Sequence, residues 1–358
     1  MTGVKTGEHE SHPARLAALD GLRGVAACGV AFLYHPLLEL SAPVAASAPA
    51  AVLWLRAWAW SCVDLFFVIS GYIFAHVYLG TKRLDRAHFG SFWRARFARL
   101  YPLHFVMLIV CAFLFGAAQV NTSTAFVAHL FMLQAFVNPE VRHFNGPAWS
   151  VSVEMACYAL FALGAVRSDK VMRWITAVAI IIPLIYLAVM GRPGGPWFGE
   201  CFPRGPLGFF IGQVLWRCRH RIARIPLPVL VAAALLGFSL VGEGPASPLF
   251  VLDLLAWPAV ACLALRLAFL ESRAMLWLGD RSYAVYMIHF PILLYFLPWL
   301  HRAASGWETV LIIAGFAAVV LFYADLAYRW IEVPARKAIR RGWKRPARPA
   351  ALPDVTAA

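Results

Sequence analysis

The 358-residue chain is 61% hydrophobic and only 14% charged, with a mean hydropathy of +0.69. Soluble domains carry about 25% charged residues, so this composition excludes a soluble globular protein and points to a polytopic membrane protein. The net charge of +14 would suit nucleic acid, but its confinement to alternate loops argues against that partner.

Residues 1–14 are polar and read as a cytoplasmic N-terminal tail without a cleavable signal peptide. A hydrocarbon core about 30 Å thick needs roughly 20 helical residues. On that basis ten spans are predicted, at 16–38, 51–79, 100–118, 147–166, 174–190, 204–216, 225–241, 248–265, 275–297 and 307–330. The apolar runs are continuous rather than alternating, which excludes an outer-membrane barrel. The expected fold is an all-α, polytopic membrane bundle of about ten transmembrane helices. Segment 122–137 reads as a surface or re-entrant helix.

Loop charges orient the bundle. One set of loops carries Lys82, Arg83, Arg86, Arg94, Arg96 and Arg99, then Arg167, Lys170 and Arg173, then Arg217, Arg219, Arg221 and Arg224, then Arg266 and Arg273, and the C-terminal tail adds Arg336, Lys337, Arg340, Arg341, Lys344, Arg345 and Arg348. The opposite loops hold only Arg56, Arg142, Arg192, Arg204 and Arg302. Positive charge marks the cytoplasmic side, so both termini are expected there. The membrane domain then covers 15–335, and 336–358 reads as a basic, disordered tail. The seven cysteines lie mostly inside apolar runs without a Cys-x-x-Cys pair. They read as small core residues, with no disulfide framework and no metal site.

Polar residues inside the spans are the candidate site, because each costs roughly 2.5–3.5 kcal/mol at membrane depth even on the mild insertion scale. The first span carries Arg15, Asp20, Arg23 and His35. On a straight helix Asp20 and Arg23 share a face, and His35 lies about 22 Å further along and some 60° round. His35 has two readings: a general base for a hydroxyl, or a satisfied core histidine. Arg96 and Arg99 open the third span on one face, a pairing that suits phosphate; anchoring to the positive side is the alternative. Ser150, Glu154 and Tyr158 form one stripe on the fourth span. Glu154 is expected near the depth of His35, where it would orient the imidazole as the third member of a triad does; a structural ion pair to Arg142 or Arg56 is the alternative. Asp64 in the second span, and Ser282, Tyr286 and His289 in the ninth, face the bundle interior. For Asp64 and His289 a structural role is preferred. Glu332 in WIEVPARK reads as an interfacial ion-pair residue.

The stretches RLAALDGLRG with the histidine of LYH, DLFFVISGY, RFARLYP, WSVSVE, LGDRSYAVYMIH and IEVP occur in this order. In that order the chain resembles the membrane-bound acyltransferase-3 family, O-acyltransferases of surface glycans and related molecules. The resemblance spans Arg15 to Pro334. It implies transfer of an acyl group, acetyl by default, from cytoplasmic acyl-CoA as co-substrate to an extracytoplasmic carbohydrate or lipid-linked glycan, in a bacterial inner membrane. By the same resemblance His35 and Glu154 are the catalytic pair and Arg96 and Arg99 the paired arginines; these two, helped by Arg23 and Arg15 at the same cytoplasmic mouth, are expected to hold the acyl-CoA. Many relatives have two consecutive acids where this chain has Glu154-Met155. The sequence also shows no fused esterase-like domain, so acyl handover is expected to be direct or through a separate partner protein. No Gly-x-Ser-x-Gly elbow suggests an acyl-serine route.

The competing reading is a proton-coupled transporter or flippase using Asp20, Asp64, Glu154 and His289. No inverted repeat supports it. A structural scaffold explains the apolar mass but not six ordered polar motifs.

Overall fold

The computed structural model describes residues 15–81, 84–137, 143–190, 198–241 and 248–341, and every regular element among them is helical. Ten helices coincide with the predicted spans: α1 Ala17–Leu38, α2 Ala50–Gly80, α3 Phe89–Phe115, α4 Gly146–Arg167, α5 Asp169–Val189, α6 Phe198–Arg217, α7 Leu227–Ser239, α8 Leu252–Ala264, α9 Arg273–Arg302 and α10 Gly306–Ile339. Seven of these, α1 to α5 with α9 and α10, are long and apolar enough to cross a membrane by length and composition. The predicted re-entrant segment holds a short helix, Ser123–Leu130, whose first turn is capped by the Thr122 hydroxyl accepting from Ala125 N at 3.2 Å. Ser272 caps α9 in the same way. At the start of α10, Ser305 accepts from Glu308 N while Glu308 accepts from Ala304 N, a reciprocal arrangement close to a capping box.

Two boundaries differ from the sequence reading, for physical reasons. Helix α3 begins at Phe89, well before residue 100, so Arg94, Arg96 and Arg99 lie on the helix rather than in a loop. Apolarity marks where a helix meets lipid, whereas arginine is itself a good helix former. At the other end, Val333–Arg341 is helical, so residues 336–341 are not the start of a disordered tail. Pro334 sits in the first turn of that segment, where its missing N–H costs nothing. Residues 342–358, the N-terminal tail 1–14, and Lys82, Arg83, Arg142 and Arg192 lie outside the described residues.

Small residues bring backbones together. A Cβ on Gly24 would lie 2.8 Å from Gly279 N, and one on Gly279 would lie 2.1 Å from Asp20 O. Helices α1 and α9 therefore touch backbone to backbone, as small-residue seams allow in membranes. That seam sets the polar residues of α1 beside those of α9. Within α1, residues Gly29–Tyr34 form a π-helical turn that ends immediately before His35. One inserted residue rotates the rest of the helix by about 100°. The straight-helix estimate of where His35 points is thereby overturned.

Candidate active site

A cavity of about 300 Å³ opens among α1, α2, α3, α4 and α9, with Arg336 from the C-terminal end of α10. It gathers side chains that the sequence scatters over 300 residues: Asp20, Arg23, Ser70, Arg96, Arg99, Ser150, Glu154, Tyr158, Ser282, Tyr286 and Arg336. Four guanidiniums face two carboxylates, a surplus of two positive charges. Arg23 is already engaged by Asp20 at 3.3 Å. Arg96 and Arg99 make no hydrogen bond or ion pair among the described residues. Arg96 instead lies over the Phe74 ring at 4.8 Å and the Tyr158 ring at 5.8 Å, and its Nε is buried without a partner. Two half-buried guanidiniums with uncommitted donors suit an anionic group, which they would grip in bidentate fashion.

The other basic positions resolve differently. Arg15 is exposed and clamps Asp20 at 2.6 Å and Asp280 at 2.8 Å. It braces the α1–α9 seam and does not line the cavity. Its guanidinium is held above its ordinary pKa, chiefly by the Asp20 hydrogen bond. Arg336, read from sequence as tail, does line the cavity. Its Nε donates to the Glu332 carbonyl at 3.2 Å. Glu332 is an ion-pair residue as expected, 3.6 Å from Arg336 Nη2, but it is buried and also within the electrostatic reach of Arg99.

Glu154 accepts hydrogen bonds from the Ser70 hydroxyl at 2.9 Å and from the Tyr158 hydroxyl. These are its hydrogen bonds among the described residues, so the expected contact between Glu154 and the His35 imidazole is not present. The stripe Ser150, Glu154 and Tyr158 holds as a stripe, yet its carboxylate belongs to the arginine cavity. At the cavity's far end the Ser150 hydroxyl donates to Tyr286 Oη at 2.9 Å, and Tyr286 donates to the Pro147 carbonyl at 2.8 Å. Ser282 donates to the Gly279 carbonyl at 2.8 Å.

His35 lies beyond that bar, half-buried, and its ring partner is His289. His289 Nε2 is 2.9 Å from His35 Nδ1, and His289 Nδ1 is 2.7 Å from the Tyr286 carbonyl. The rings of Tyr34 and Phe290 flank His35 at 4.9 and 5.6 Å. Sequence placed both histidines in the interior but did not pair them. The π-helical turn that aims His35 at α9 leaves no signature in the apolar pattern GVAFLY.

Asp64 lies outside this site. It pairs bidentately with Arg204, at 2.9 and 3.0 Å, with 0% and 1% of the two side chains exposed. Arg204 stacks on Trp60 at 4.3 Å. From sequence Arg204 reads as an outer-loop charge because it interrupts a short apolar run, whereas α6 extends back to Phe198 and buries it. The polar outer segment is buried too. Gln134 donates to the Ala148 carbonyl at 2.7 Å, Asn145 to the Met287 carbonyl at 2.9 Å, and His143 bonds the Val120 carbonyl. His129 is buried beside His104. These side chains bond backbone carbonyls inside the bundle. Asn138, Glu140 and Arg142, in the same stretch of chain, lie outside the described residues. Among the described residues no group of three metal-ligating side chains converges.

A family profile described as an acyltransferase domain matches residues 16–329. The acyltransferase MdmB of Streptomyces mycarofaciens is 27% identical, over 91% of this chain and 93% of that protein. The O-acetyltransferase OatA of Staphylococcus aureus is 25% identical, over 91% of this chain and 58% of that protein. The peptidoglycan O-acetyltransferase OatA of Listeria monocytogenes is 23% identical, over 77% of this chain and 51% of that protein. The chain thus spans little more than half the length of the OatA relatives. No solved structure matches it. A helical bundle with this arginine-lined cavity, matched by the profile over most of its length, belongs to the acyltransferase-3 family and is a multi-pass membrane acyltransferase.

Proposed function

We propose that the protein transfers an acyl group, acetyl in the simplest case, from cytoplasmic acyl-CoA to a hydroxyl on the far side of the membrane. The observation that carries this reading is the cavity, with its surplus of two positive charges and the uncommitted guanidiniums of Arg96 and Arg99. Acyl-CoA brings phosphates for the arginines and a long pantetheine arm that reaches inward. Arg23, Arg99 and Arg96 receive the anionic end, and Arg336 adds a fourth guanidinium. The thioester passes the Ser150–Tyr286 bar to reach His35.

His35 takes the proton of the acceptor hydroxyl as its oxygen attacks the thioester carbonyl. The new ester C–O bond forms, the C–S bond breaks, and the departing thiolate recovers the proton from His35. Names such as peptidoglycan O-acetyltransferase among the relatives support an extracytoplasmic glycan as the acceptor. Basic loops at the cavity end support, by the positive-inside rule, a donor side that faces the cytoplasm across a bacterial inner membrane.

Transport fits less well. A proton or solute pathway needs exchangeable intramembrane carboxyls, but Asp64 is locked to Arg204 and Asp20 is held by Arg15 and Arg23. Membranes containing the protein, given acetyl-CoA labelled in the acetyl group, should leave label covalently bound to envelope glycan. A protein that moves solute with no label fixed would be a transporter, and the reading would fall.

A further inference from the structure

We infer that His289 is a positioning residue that fixes the tautomer of His35, so that Nε2 of His35 is the atom that takes the hydroxyl proton. This inference rests on the acyl-transfer reading above for its chemistry, but the tautomer itself follows from geometry.

His289 is 0% exposed, and its two ring nitrogens have different partners. Nδ1 lies 2.7 Å from the Tyr286 carbonyl oxygen. A carbonyl oxygen only accepts, so Nδ1 carries the hydrogen. Neither partner of this ring is acidic, and an uncompensated charge buried here would be costly, so the ring is neutral. A neutral imidazole has one N–H, which leaves Nε2 of His289 as a bare acceptor. Nε2 lies 2.9 Å from Nδ1 of His35. That contact is a hydrogen bond only when His35 Nδ1 donates. Neutral His35 then holds its lone pair on Nε2.

The chain of bonds runs in one direction, from His35 Nδ1–H to His289 Nε2, and from His289 Nδ1–H to the backbone of α9. The last acceptor is a backbone carbonyl on the same helix, so it cannot turn away as a side chain can. When Nε2 of His35 takes the hydroxyl proton, His35 becomes an imidazolium. Its Nδ1–H bond to His289 becomes charge-assisted and strengthens. The same role falls to the buried aspartate of a hydrolase triad, here filled by a neutral imidazole in place of the carboxylate expected from Glu154. The proton then leaves Nε2 for the thiolate released by C–S cleavage, and both rings return to their starting state.

The test uses full-length protein labelled with [15N]histidine in lipid nanodiscs, read by solid-state NMR. His35 signals are identified by their loss in H35Q. Wild-type protein is expected to show a protonated Nδ1 and a bare Nε2 at His35. In H289Q the amide oxygen still accepts from His35 Nδ1, so the tautomer persists and label transfer from [14C]acetyl-CoA into the membrane fraction stays within about tenfold of wild type. In H289L the acceptor is gone. The Nε2–H form should then appear, and transfer should fall by about 10²–10⁴-fold, with the KM for acetyl-CoA unchanged. An Nε2–H ring at His35 in wild type would overturn the inference, as would an H289L variant that keeps wild-type tautomer and transfer. If wild type transfers no label, the acyl-transfer reading fails while the spectrum still decides the tautomer.

Discussion

The Asp64–Arg204 pair is the sharpest test of how the bundle is held. Its two bonds, at 2.9 and 3.0 Å, join α2 to α6 where neither side chain meets solvent. Charge centres about 4 Å apart attract by about 4 kcal/mol at an effective dielectric near 20. Removing one partner strands the other, which typically costs about 3–5 kcal/mol. The stranded group in Arg204→Met is worse placed than most. Asp253 is buried within electrostatic reach of the pair, and neither of its carboxylate oxygens has a hydrogen-bond partner among the described residues. Arg204→Met and Asp64→Leu should each lower the unfolding midpoint by roughly 6–10 °C, at about 2 °C per kcal/mol. The double variant should lose less than either single one, because it leaves neither Asp64 nor Arg204 as the stranded half of the pair. Cys111, Cys157 and Cys262 are buried and free, so a thiol-reactive dye reports unfolding in nanodiscs directly. A stable Arg204→Met protein would refute the argument, and so would a double variant weaker than both singles.

Arg96→Ala or Arg99→Ala should raise the KM for acetyl-CoA about 10–100-fold, the worth of a hydrogen bond to a charged group, with the acceptor KM unchanged. Glu154→Gln keeps the shape that meets Ser70 and Tyr158 but makes the cavity more positive. It should therefore alter donor KM and leave the pH profile of transfer unmoved, whereas a carboxylate acting on His35 would shift that profile. Cysteines placed at the exposed positions Arg302 and His220 test the orientation. The first should react with an impermeant maleimide added outside, and the second only after the membrane is opened.

The sequence carried the architecture because long apolar runs have few solutions in lipid. Each of the ten spans became a helix, since apolar length is what a span requires. It also carried much of the cavity's membership, because intramembrane charges seek one another, but it missed Ser70 and Arg336 and included Arg15 and Asp64, which do not line the cavity. Three things were not legible. The π-helical turn before His35 changes the helix phase without changing composition, and so the pairing with His289 stayed hidden. Arg204 and Arg336 were assigned to a loop and a tail because charge ended the apolar count on which the spans were drawn. Glu154 was set beside His35 by depth and by the family resemblance. Depth fixes a level in the bundle but not a neighbour, and the neighbours proved to be Ser70 and Tyr158.

The central claim is that His35 performs acyl transfer to an envelope hydroxyl. Mass spectrometry of envelope glycans from cells expressing the wild-type protein or His35→Ala tests it most directly, with both proteins shown to be inserted at equal levels. The expected result is a set of O-acyl groups present with the wild-type protein and lost with His35→Ala. Equal acylation in the two strains would contradict the claim.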